Sequence, residues 1–354
     1  MRSKSIDFTG KNIYVGLDVH KKSWSVTVLL DEIEHRTFTT PPKASVVSDY
    51  LKKHFPGGTY ISAYECGFSG YKTHRDLVEQ GVQNIVINPA DVPSNNKEKT
   101  TKTDKVDSRK IAKGLRNGEL RGIHVFDKVH EEFRSLVRQR TTFQKDFRRS
   151  KQRIKSALMY HGIEVPEEFD FQNWSKSFEA WLSVLELSTT NGTFMLESLY
   201  QNYLFNKNQI RMLAIDIKKY ARRHYKEDYF LLRTIPGIGQ LTAVAIISEL
   251  GDISRFKNLN HLSSYVGIVP LTHNSGESER VGRMTYRANN WVRTMLVEAS
   301  WQAIRKDPAM LQYYLKHAGK SNGKKAIIKV TRKLLNRVRY VLRNKEPYEL
   351  GVQE

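Results

Sequence analysis

Residues 12–116 contain short apolar runs and amphipathic segments in an order that restricts the fold more than any other feature of the chain. The pattern predicts strands at Asn12–Val19, Trp24–Leu30, Arg36–Thr40, Thr59–Glu65 and Gln83–Asn88, and helices at Lys43–His54, Tyr71–Gln80 and Asp104–Arg116. Only a short polar break separates the first two strands, so we expect an antiparallel hairpin. From the fourth strand onward strands alternate with helices, which indicates parallel strands in a mixed sheet.

This order of three strands, helix, strand, helix, strand and helix is found in ribonuclease-H-like nuclease domains, and it predicts an α/β domain over residues 1–128. Asp18 closes the first strand and Glu65 closes the fourth. In a sheet of this order the two strands are adjacent and parallel, so both carboxylates are expected at one edge. Asp104 and Asp107 lie three residues apart at the start of the last helix and share one helix face.

Four carboxylates gathered at one point would repel each other strongly unless cations neutralise them. Mg²⁺ is the expected cation, with Mn²⁺ as a substitute, because it takes hard oxygen ligands and keeps positions open for phosphate oxygens. Two such ions about 4 Å apart stabilise the attacking and leaving oxygens in phosphoryl transfer. Each acid also has a plainer interpretation as a turn residue or a helix cap, so the prediction depends on their combination.

Residues 129–228 are expected to form a helical linker around two long helices. Glu131–Tyr160 contains no glycine or proline and repeats apolar residues at intervals of three or four, and Phe194–Tyr220 carries an apolar heptad interrupted by Asn206. The two helices either form a coiled coil, within one chain or between protomers, or are ordinary amphipathic helices of a bundle. We interpret the stretch 161–192 between them as an insertion whose role the sequence does not give.

Residues 229–354 are expected to form a compact helical domain that ends in an amphipathic helix, Lys324–Arg343. A motif typical of a helix-hairpin-helix, Thr234–Gly239, lies near its start. Gly237 and Gly239 would let the backbone approach a phosphate, and the amides at the start of the next helix would donate to it. A plain tight turn between two helices explains the motif equally well.

The formal net charge of the chain is +21, which favours a polyanionic partner over a neutral small molecule. Nucleic acid and a membrane surface both fit this charge. No apolar run is long enough to span a bilayer and the N-terminus is too polar for a signal peptide, so we expect no membrane partner. Cys66 is the single cysteine, which excludes an intrachain disulfide and indicates a reducing, cytoplasmic environment.

Motifs in both halves of the chain resemble those of the DEDD-type transposases of bacterial insertion sequences, family one hundred and ten, which also includes the Piv-type DNA invertases. The N-terminal match comprises Gly16–Lys21, Glu65 and Lys102–Asp107, and the C-terminal match comprises Ile235–Gly239, Ser263–Pro270, Ser275–Gly276 and Asn290–Arg293. The resemblance covers nearly the whole chain, although the stretch 161–192 looks longer than the family core.

The resemblance implies a RuvC-like N-terminal domain whose metal ligands are Asp18, Glu65, Asp104 and Asp107. It also implies a transposase domain over residues 229–354 in which Ser275 is the nucleophile that forms a covalent phosphoserine link to a cut DNA strand. The expected partners are the DNA of the element ends and target, a structured non-coding guide RNA, and further copies of the chain in a homo-oligomer, dimer or tetramer, with shared active sites. The expected location is cytoplasmic and nucleoid-associated.

Three arginines near the serine, Arg283, Arg287 and Arg293, are candidate phosphate clamps, and plain surface charge explains each of them nearly as well. Tyr265 and Tyr286 are rival nucleophiles to Ser275, although the apolar spacing around Tyr265 indicates a core position.

Two other functions remain open. A metal-dependent endonuclease of the Holliday-junction type would hydrolyse DNA with water and would need no serine. A non-catalytic nucleic-acid-binding protein would need the positive charge but not the four carboxylates.

Overall fold

The computed structural model describes residues 7–93, 103–169, 174–275, 278–319 and 322–351, with the backbone alone for 270–275 and 278–283. The chain forms two compact units, Met1–Phe126 and Asp127–Glu354, called here unit 1 and unit 2. The finer division into three domains at residues 128 and 228 stays a prediction.

Unit 1 is built on a five-stranded mixed sheet with the order β3-β2-β1-β4-β5. The strands are β1 Asn12–Val19, β2 Trp24–Leu30, β3 Ile33–Thr40, β4 Thr59–Glu65 and β5 Gln83–Ile87. As the sequence predicts, β1 pairs antiparallel with β2 and parallel with β4. The third strand begins at Ile33 rather than at Arg36, because the exposed polar residues Glu34 and His35 hide the start of the strand from a hydrophobicity signal.

Helices cover both faces of this sheet, because successive side chains of a strand point to opposite faces and apolar side chains on both faces are buried. The helices are α1 Ala44–His54, α2 Lys72–Glu79 and α3 Asp104–Arg116. Val15 and Leu17 of β1 are fully buried in a core that includes Val47 of α1 and Leu77 of α2. On the opposite face, Ala63 of β4 packs in a second core with Ile111 of α3.

Unit 2 is mostly helical. Its helices are α4 Lys128–Tyr160, α5 Lys176–Ser183, α6 Thr190–His224, α7 Lys226–Thr234, α8 Gln240–Leu250, α9 Leu259–Val266, α10 Asn290–Lys306, α11 Pro308–Ala318 and α12 Gly323–Asn344. Side chains that accept a backbone N–H cap many of them, including Asp127 at α4, Thr189 at α6 and Asn322 at α12. Within the described ranges, no helix combines the length and the hydropathy needed to span a membrane.

The two long helices, α4 and α6, pack against each other within the chain. Toward one end of the pair, Trp174 and Phe178 are buried with Leu158 of α4 and Leu196 of α6, so the predicted insertion adds a small core there. At the other end, Phe133 of α4 joins the core of the C-terminal helices. The pairing is therefore intramolecular, and a contact between protomers stays a prediction.

A two-stranded antiparallel sheet, β6 Pro270–Ser275 and β7 Ser278–Met284, lies between α9 and α10 in the chain. We call it the serine hairpin. The sequence did not predict these strands, because β7 is rich in charged residues and lacks the aromatic and β-branched runs that mark a strand. The C-terminal part is thus helical with one added β-ribbon.

Candidate active site

Two strand ends place Asp18 and Glu65 at the same edge of the unit 1 sheet. The parallel register of β1 and β4 ends with Leu17 opposite Tyr64, and Asp18 and Glu65 are the next residues on each strand. Leu17 and Tyr64 are fully buried in the core beneath α1 and α2. Because side chains alternate along a strand, Asp18 and Glu65 belong to the other face, which α3 covers.

Gly16 allows α3 to approach this face closely. A Cβ on Gly16 would lie 2.0 Å from the carbonyl oxygen of Ser108 and 2.4 Å from the amide nitrogen of Ala112. Both neighbours are backbone atoms of α3, so a larger residue would push the helix away. The glycine therefore sets the distance between α3 and Asp18, which lies two residues further along the same face.

The first turn of α3 carries Asp104 and Asp107. Thr103 caps the helix, and its Oγ1 accepts the backbone N–H of Val106 at 3.4 Å. The helix dipole favours negative charge at both aspartates. The buried Oγ of Ser108 lies 2.9 Å from Oγ1 of Thr27, a hydrogen bond that fastens the start of α3 to β2.

Asp18 and Asp104 come together around His20, which follows β1 directly. Nε2 of His20 lies 3.1 Å from Oδ2 of Asp18 and 3.5 Å from Oδ1 of Asp104. One potential ligand atom from each of these three residues lies within 4.8 Å of the other two. We call this group the acid cluster. His20 belongs to a motif in the sequence, but its proximity to Asp104 could not be predicted because it depends on where α3 packs.

The cluster concentrates negative charge in a half-buried place. Burial raises the pKa of the Asp18 carboxyl, and the charges of Asp104 and Asp107 raise this pKa further, whereas His20 lowers it. A bound divalent cation would favour the ionised form of Asp18 and remove this repulsion.

Asp107 and Glu65 are the other two predicted ligands. The Asp107 carboxylate is largely buried and lies 3.5 Å from Nζ of Lys110. It lies in the same turn of α3 as Asp104, and its charge raises the pKa of Asp18. Glu65 is exposed at the last position of β4. Metal binding by any of the four carboxylates stays a prediction.

The donor atoms of this group suit a hard divalent cation. Carboxylate oxygens are the ligands that Mg²⁺ and Mn²⁺ prefer, and the acid cluster supplies them from β1 and α3. His20 fits better as an orienting group, because an N–H at Nε2 can donate to the carboxylate of Asp18 and fix its direction.

Ser275 is the last residue of β6, and its backbone pairs with Ser278 at the tip of the serine hairpin. The tip residues 276–277, and the side chains of Ser275 and Arg283, lie outside the described part of the chain. Of the rival nucleophiles, Tyr265 donates its hydroxyl to the backbone oxygen of Glu249 at 2.9 Å, whereas Tyr286 is exposed.

The candidate arginine clamps have different surroundings. Nη1 of Arg293 donates to the carbonyl oxygens of Gly267 at 3.1 Å and Thr285 at 2.9 Å, so this group is engaged by the backbone of unit 2. Arg287 is exposed just after β7. Phosphate contact by Arg283, Arg287 or Arg293 stays a prediction.

The turn between α7 and α8 contains Gly237 and Gly239. Gly237 has a φ of 89°, and a Cβ there would lie 2.2 Å from the carbonyl oxygen of Ala299 on α10. This glycine therefore allows close helix packing. Gly239 is the N-cap of α8, and the space where its Cβ would project is open. A phosphate contact at this turn stays a prediction.

A basic groove lies between α4 and the start of α10. It could not be predicted from the sequence. Its lining includes Arg138, Thr141, Lys145 and Arg148 of α4, and Asn290 and Trp291 of α10. Among the described residues, no carboxylate pairs with Lys145 or Arg148. Both residues look like ordinary surface charge in the sequence, because nothing there shows that α10 lies beside this face of α4.

Two family models match the chain. A model of the DEDD transposases of IS110 matches residues 15–161, and a model described as the transposase IS116/IS110/IS902 family matches residues 229–315. The first span contains all four predicted metal ligands, and the second contains the serine hairpin.

Individual relatives agree with the family models. The transposase for insertion sequence element IS1533 of Leptospira borgpetersenii is 26% identical over 254 residues, covering 70% of this chain and 72% of that protein. The y4qE protein of Sinorhizobium fredii is 28% identical over 67% of this chain and 57% of its own length. The pilin gene-inverting protein of Moraxella bovis is 32% identical over 127 residues, 35% of this chain and 39% of that protein. The aligned parts thus span between 39% and 72% of these relatives' lengths.

Proposed function

Because this chain belongs to the IS110 family of transposases, we propose that it cleaves and rejoins the DNA strands of an insertion sequence through a covalent phosphoserine intermediate at Ser275. Asp18, Glu65, Asp104 and Asp107 would hold the divalent metal ions, Mg²⁺ or Mn²⁺, that the reaction needs. The observation that carries the proposal is the acid cluster, in which β1 and the first turn of α3 present carboxylates to one point.

The carboxylates would hold the metal ions and, through them, the scissile phosphate. When bound, the ions supply positive charge to the phosphate oxygens and lower the pKa of a nearby hydroxyl. His20 would keep the carboxylate of Asp18 in a fixed direction by hydrogen bonding, with Asp104 at 3.5 Å from the same nitrogen.

Ser275 supplies the nucleophile. Its oxygen forms a bond to phosphorus while the bond from phosphorus to the 3′ oxygen of the DNA breaks, the serine proton is lost, and the 3′ oxygen gains a proton. A phosphodiester to serine replaces the phosphodiester of the DNA. Attack by a 3′-hydroxyl on this bond reverses the step, so rejoining needs no ATP.

The partners of the reaction also belong to the proposal. DNA is the substrate, and the charge of +21 supports a polyanion. A structured non-coding guide RNA and a homo-oligomer, dimer or tetramer, with shared active sites are proposed from the family resemblance alone. A cytoplasmic, nucleoid-associated location follows from the proposed substrate.

Cleavage assays with two variants test the proposal. The purified protein, with the RNA that co-purifies with it, is incubated with DNA carrying the ends of its element. We expect Mg²⁺-dependent cleavage that Asp104→Asn abolishes, and Ser275→Ala should prevent both cleavage and rejoining. Normal cleavage by Ser275→Ala would instead support a junction endonuclease that uses water, and no metal-dependent cleavage by the wild type would support a non-catalytic binding protein.

A further inference from the structure

Glu249 is a fully buried carboxylate of α8 that the proposed reaction does not use. Arg134 of α4 donates to Oε2 from Nε at 3.0 Å and from Nη2 at 2.9 Å. Arg138, one turn further along α4, donates from Nε to Oε1 at 2.5 Å and from Nη2 to Oε2 at 2.9 Å. Asn289 adds a fifth hydrogen bond from Nδ2 to Oε2 at 2.6 Å. The carboxylate thus joins three separate elements.

Stability alone is a weak explanation for this arrangement. Removing a carboxylate from water is unfavourable, and apolar side chains of similar size often hold a core at least as well. Burial alone would raise the pKa of Glu249, but the hydrogen bonds and charges of Arg138 and Arg134 outweigh burial and keep this pKa below its usual value. Glu249 therefore stays ionised, and its hydrogen bonds fix directions as well as distances.

Asn289 connects this carboxylate to the chain that leaves the serine hairpin. Its Oδ1 accepts the backbone N–H of Val292 at 3.3 Å and so caps α10. Its own backbone N–H donates to the carbonyl oxygen of Tyr265 at 3.0 Å. Tyr265 lies just before the hairpin and donates its hydroxyl to the backbone oxygen of Glu249. The segments that precede and follow the hairpin thus both bind the same residue of α8.

The two chain segments at the base of the hairpin are also fastened to each other. Nη1 of Arg293 bridges the carbonyl oxygens of Gly267, on the incoming segment, and Thr285, on the outgoing segment. The backbone N–H of Thr285 donates to the carbonyl oxygen of Val269 at 3.3 Å. A Cβ on Gly267, whose φ is 81°, would lie 2.1 Å from Cβ of Ala288, so only glycine permits this approach.

We propose that Glu249 and Asn289 are positioning residues that fix the base of the serine hairpin, and with it the direction in which Ser275 is presented, relative to α4. This inference rests on the proposed role of Ser275. Arg134 and Arg138 extend the connection to α4, the helix that also lines the basic groove. Loss of this anchoring would lower the rate at which Ser275 attacks DNA and would leave the affinity for DNA unchanged.

Asn289→Asp separates this role from helix capping. Aspartate keeps the oxygen that caps α10, but it lacks the N–H that Glu249 accepts and adds a second negative charge beside it. The matched control is Asn322→Asp, the same change at the N-cap of α12, where Asn322 accepts the N–H of Lys325. The measurement is the single-turnover rate of covalent protein–DNA adduct formation at saturating DNA, together with the dissociation constant for the same DNA.

We expect Asn289→Asp to slow adduct formation about 10- to 100-fold, the effect of a misplacement on the order of 1 Å, with DNA affinity unchanged. Asn322→Asp should form the adduct at the wild-type rate. The inference is wrong if Asn289→Asp reacts as fast as the wild type, or if its rate falls only in proportion to its DNA binding.

A compensating pair provides the second test. Glu249→Gln alone removes the negative charge that accepts from Arg134 and Arg138, and we expect it to slow adduct formation as well. In the double variant with Asn289→Asp, the two side chains together carry one negative charge, as in the wild type, so the repulsion between two carboxylates is absent. We expect the double variant to react at least about tenfold faster than the product of the two single effects predicts. Purely multiplicative effects would contradict the inference.

Hydrogen exchange measures the anchoring of the hairpin independently of the proposed function. If the wild-type protein forms no adduct at Ser275, the proposed function fails, whereas the anchoring of the hairpin can still be measured. We expect faster exchange of the backbone amides of β6 and β7 in Asn289→Asp and no change in Asn322→Asp. Unchanged exchange in Asn289→Asp would overturn the anchoring whatever the activity.

Discussion

At Gly16, the lack of a side chain decides how near α3 comes to the strand that carries Asp18. We expect Gly16→Ala to displace α3 and to destabilise unit 1 by about 1–3 kcal/mol, the usual effect of overpacking a filled core. Affinity for Mn²⁺ should fall with it, because Asp104 moves with the helix. Urea unfolding and Mn²⁺ titration check both effects.

Gly319→Ala is the matched control for this change. Gly319 has an ordinary helical φ of −66°, and the nearest atom to a Cβ there is the carbonyl oxygen of Leu315 at 3.6 Å. Its replacement should leave the free energy of unfolding and the affinity for Mn²⁺ as they are in the wild type. Equal behaviour of the two variants would mean that Gly16 does not set the position of α3.

Glu249 makes part of the folding free energy depend on pH. Its folded pKa is lower than usual, so the unfolded chain takes up the proton more readily than the folded protein. The stabilisation is therefore complete above the unfolded pKa of about 4.3 and is lost as the pH falls through the lower, folded pKa. Glu249→Gln should be less stable near neutral pH by about 1–3 kcal/mol, because Arg134 and the half-exposed Arg138 lose the charged acceptor of their hydrogen bonds.

Urea unfolding at a series of pH values below neutrality measures this effect. The wild-type protein should lose more stability on acidification than Glu249→Gln, so the two curves should converge at low pH. Glu298→Gln, at an exposed carboxylate of α10, should follow the wild-type curve. Parallel curves for the wild type and Glu249→Gln would contradict the assigned pKa direction.

Among the elements, α3 carries the predicted metal ligands that are furthest along the chain from Asp18. We expect Asp104→Asn and Asp107→Asn each to weaken Mn²⁺ binding at least about tenfold, because each removes a negative charge and a hard oxygen ligand. Calorimetric titration with Mn²⁺ measures the effect, and the rise of the melting temperature with Mn²⁺ should shrink in parallel.

Asp31→Asn is the control for these two variants. Asp31 is exposed and follows the end of β2 that pairs with the start of β1, so it lies at the opposite edge of the sheet from Asp18. Its φ of 52° suits asparagine, so the change introduces little strain. Equal loss of Mn²⁺ affinity in Asp31→Asn would show that the ion binds elsewhere.

The elements of unit 1 could be predicted from the sequence because most of its strands, though not β3, are distinct apolar runs and the order of elements permits few sheets. The adjacency of Asp18 and Glu65 followed directly from the parallel pairing of β1 and β4. The proximity of His20 to Asp104 could not be predicted, because it depends on the distance between α3 and β1. Gly16 controls this distance through backbone contacts.

The C-terminal elements were harder to predict. The last helix followed from its apolar spacing, but the strands of the serine hairpin carry no apolar alternation of their own. Glu249 appears in the sequence as one more glutamate near the end of a helix. Its hydrogen bonds come from α4 and from Asn289, and no local pattern connects residues so distant along the chain.

For the whole molecule, the charge of +21 predicts that nucleic-acid affinity falls steeply with salt concentration. The basic groove between α4 and α10 should contribute a defined share of this dependence. We expect the double variant Lys145→Gln/Arg148→Gln to reduce the slope of log affinity against log salt by about 2, roughly one for each phosphate that the protein no longer neutralises. Binding of a DNA duplex and of an RNA hairpin, each measured at several salt concentrations, shows which of the two uses the groove.

Lys128→Gln/Arg149→Gln is the matched control on the same helix. Both cations already have a carboxylate nearby, Glu132 at 4.0 Å from Lys128 and Asp146 at 3.0 Å from Arg149. The control should keep the wild-type slope. An unchanged slope for the groove variant with both nucleic acids would mean that Lys145 and Arg148 are ordinary surface charge.

The proposed function requires that divalent metal ions bound by the four predicted carboxylate ligands enable Ser275 to attack DNA. The most direct measurement is peptide mapping of the covalent adduct by mass spectrometry, after reaction of the RNA-bound protein with end-labelled element DNA in Mg²⁺. We predict a phosphodiester on Ser275 that does not form in the presence of a chelator or in Asp104→Asn. An adduct on Tyr265 or Tyr286, or one that forms equally well without metal, would contradict the account.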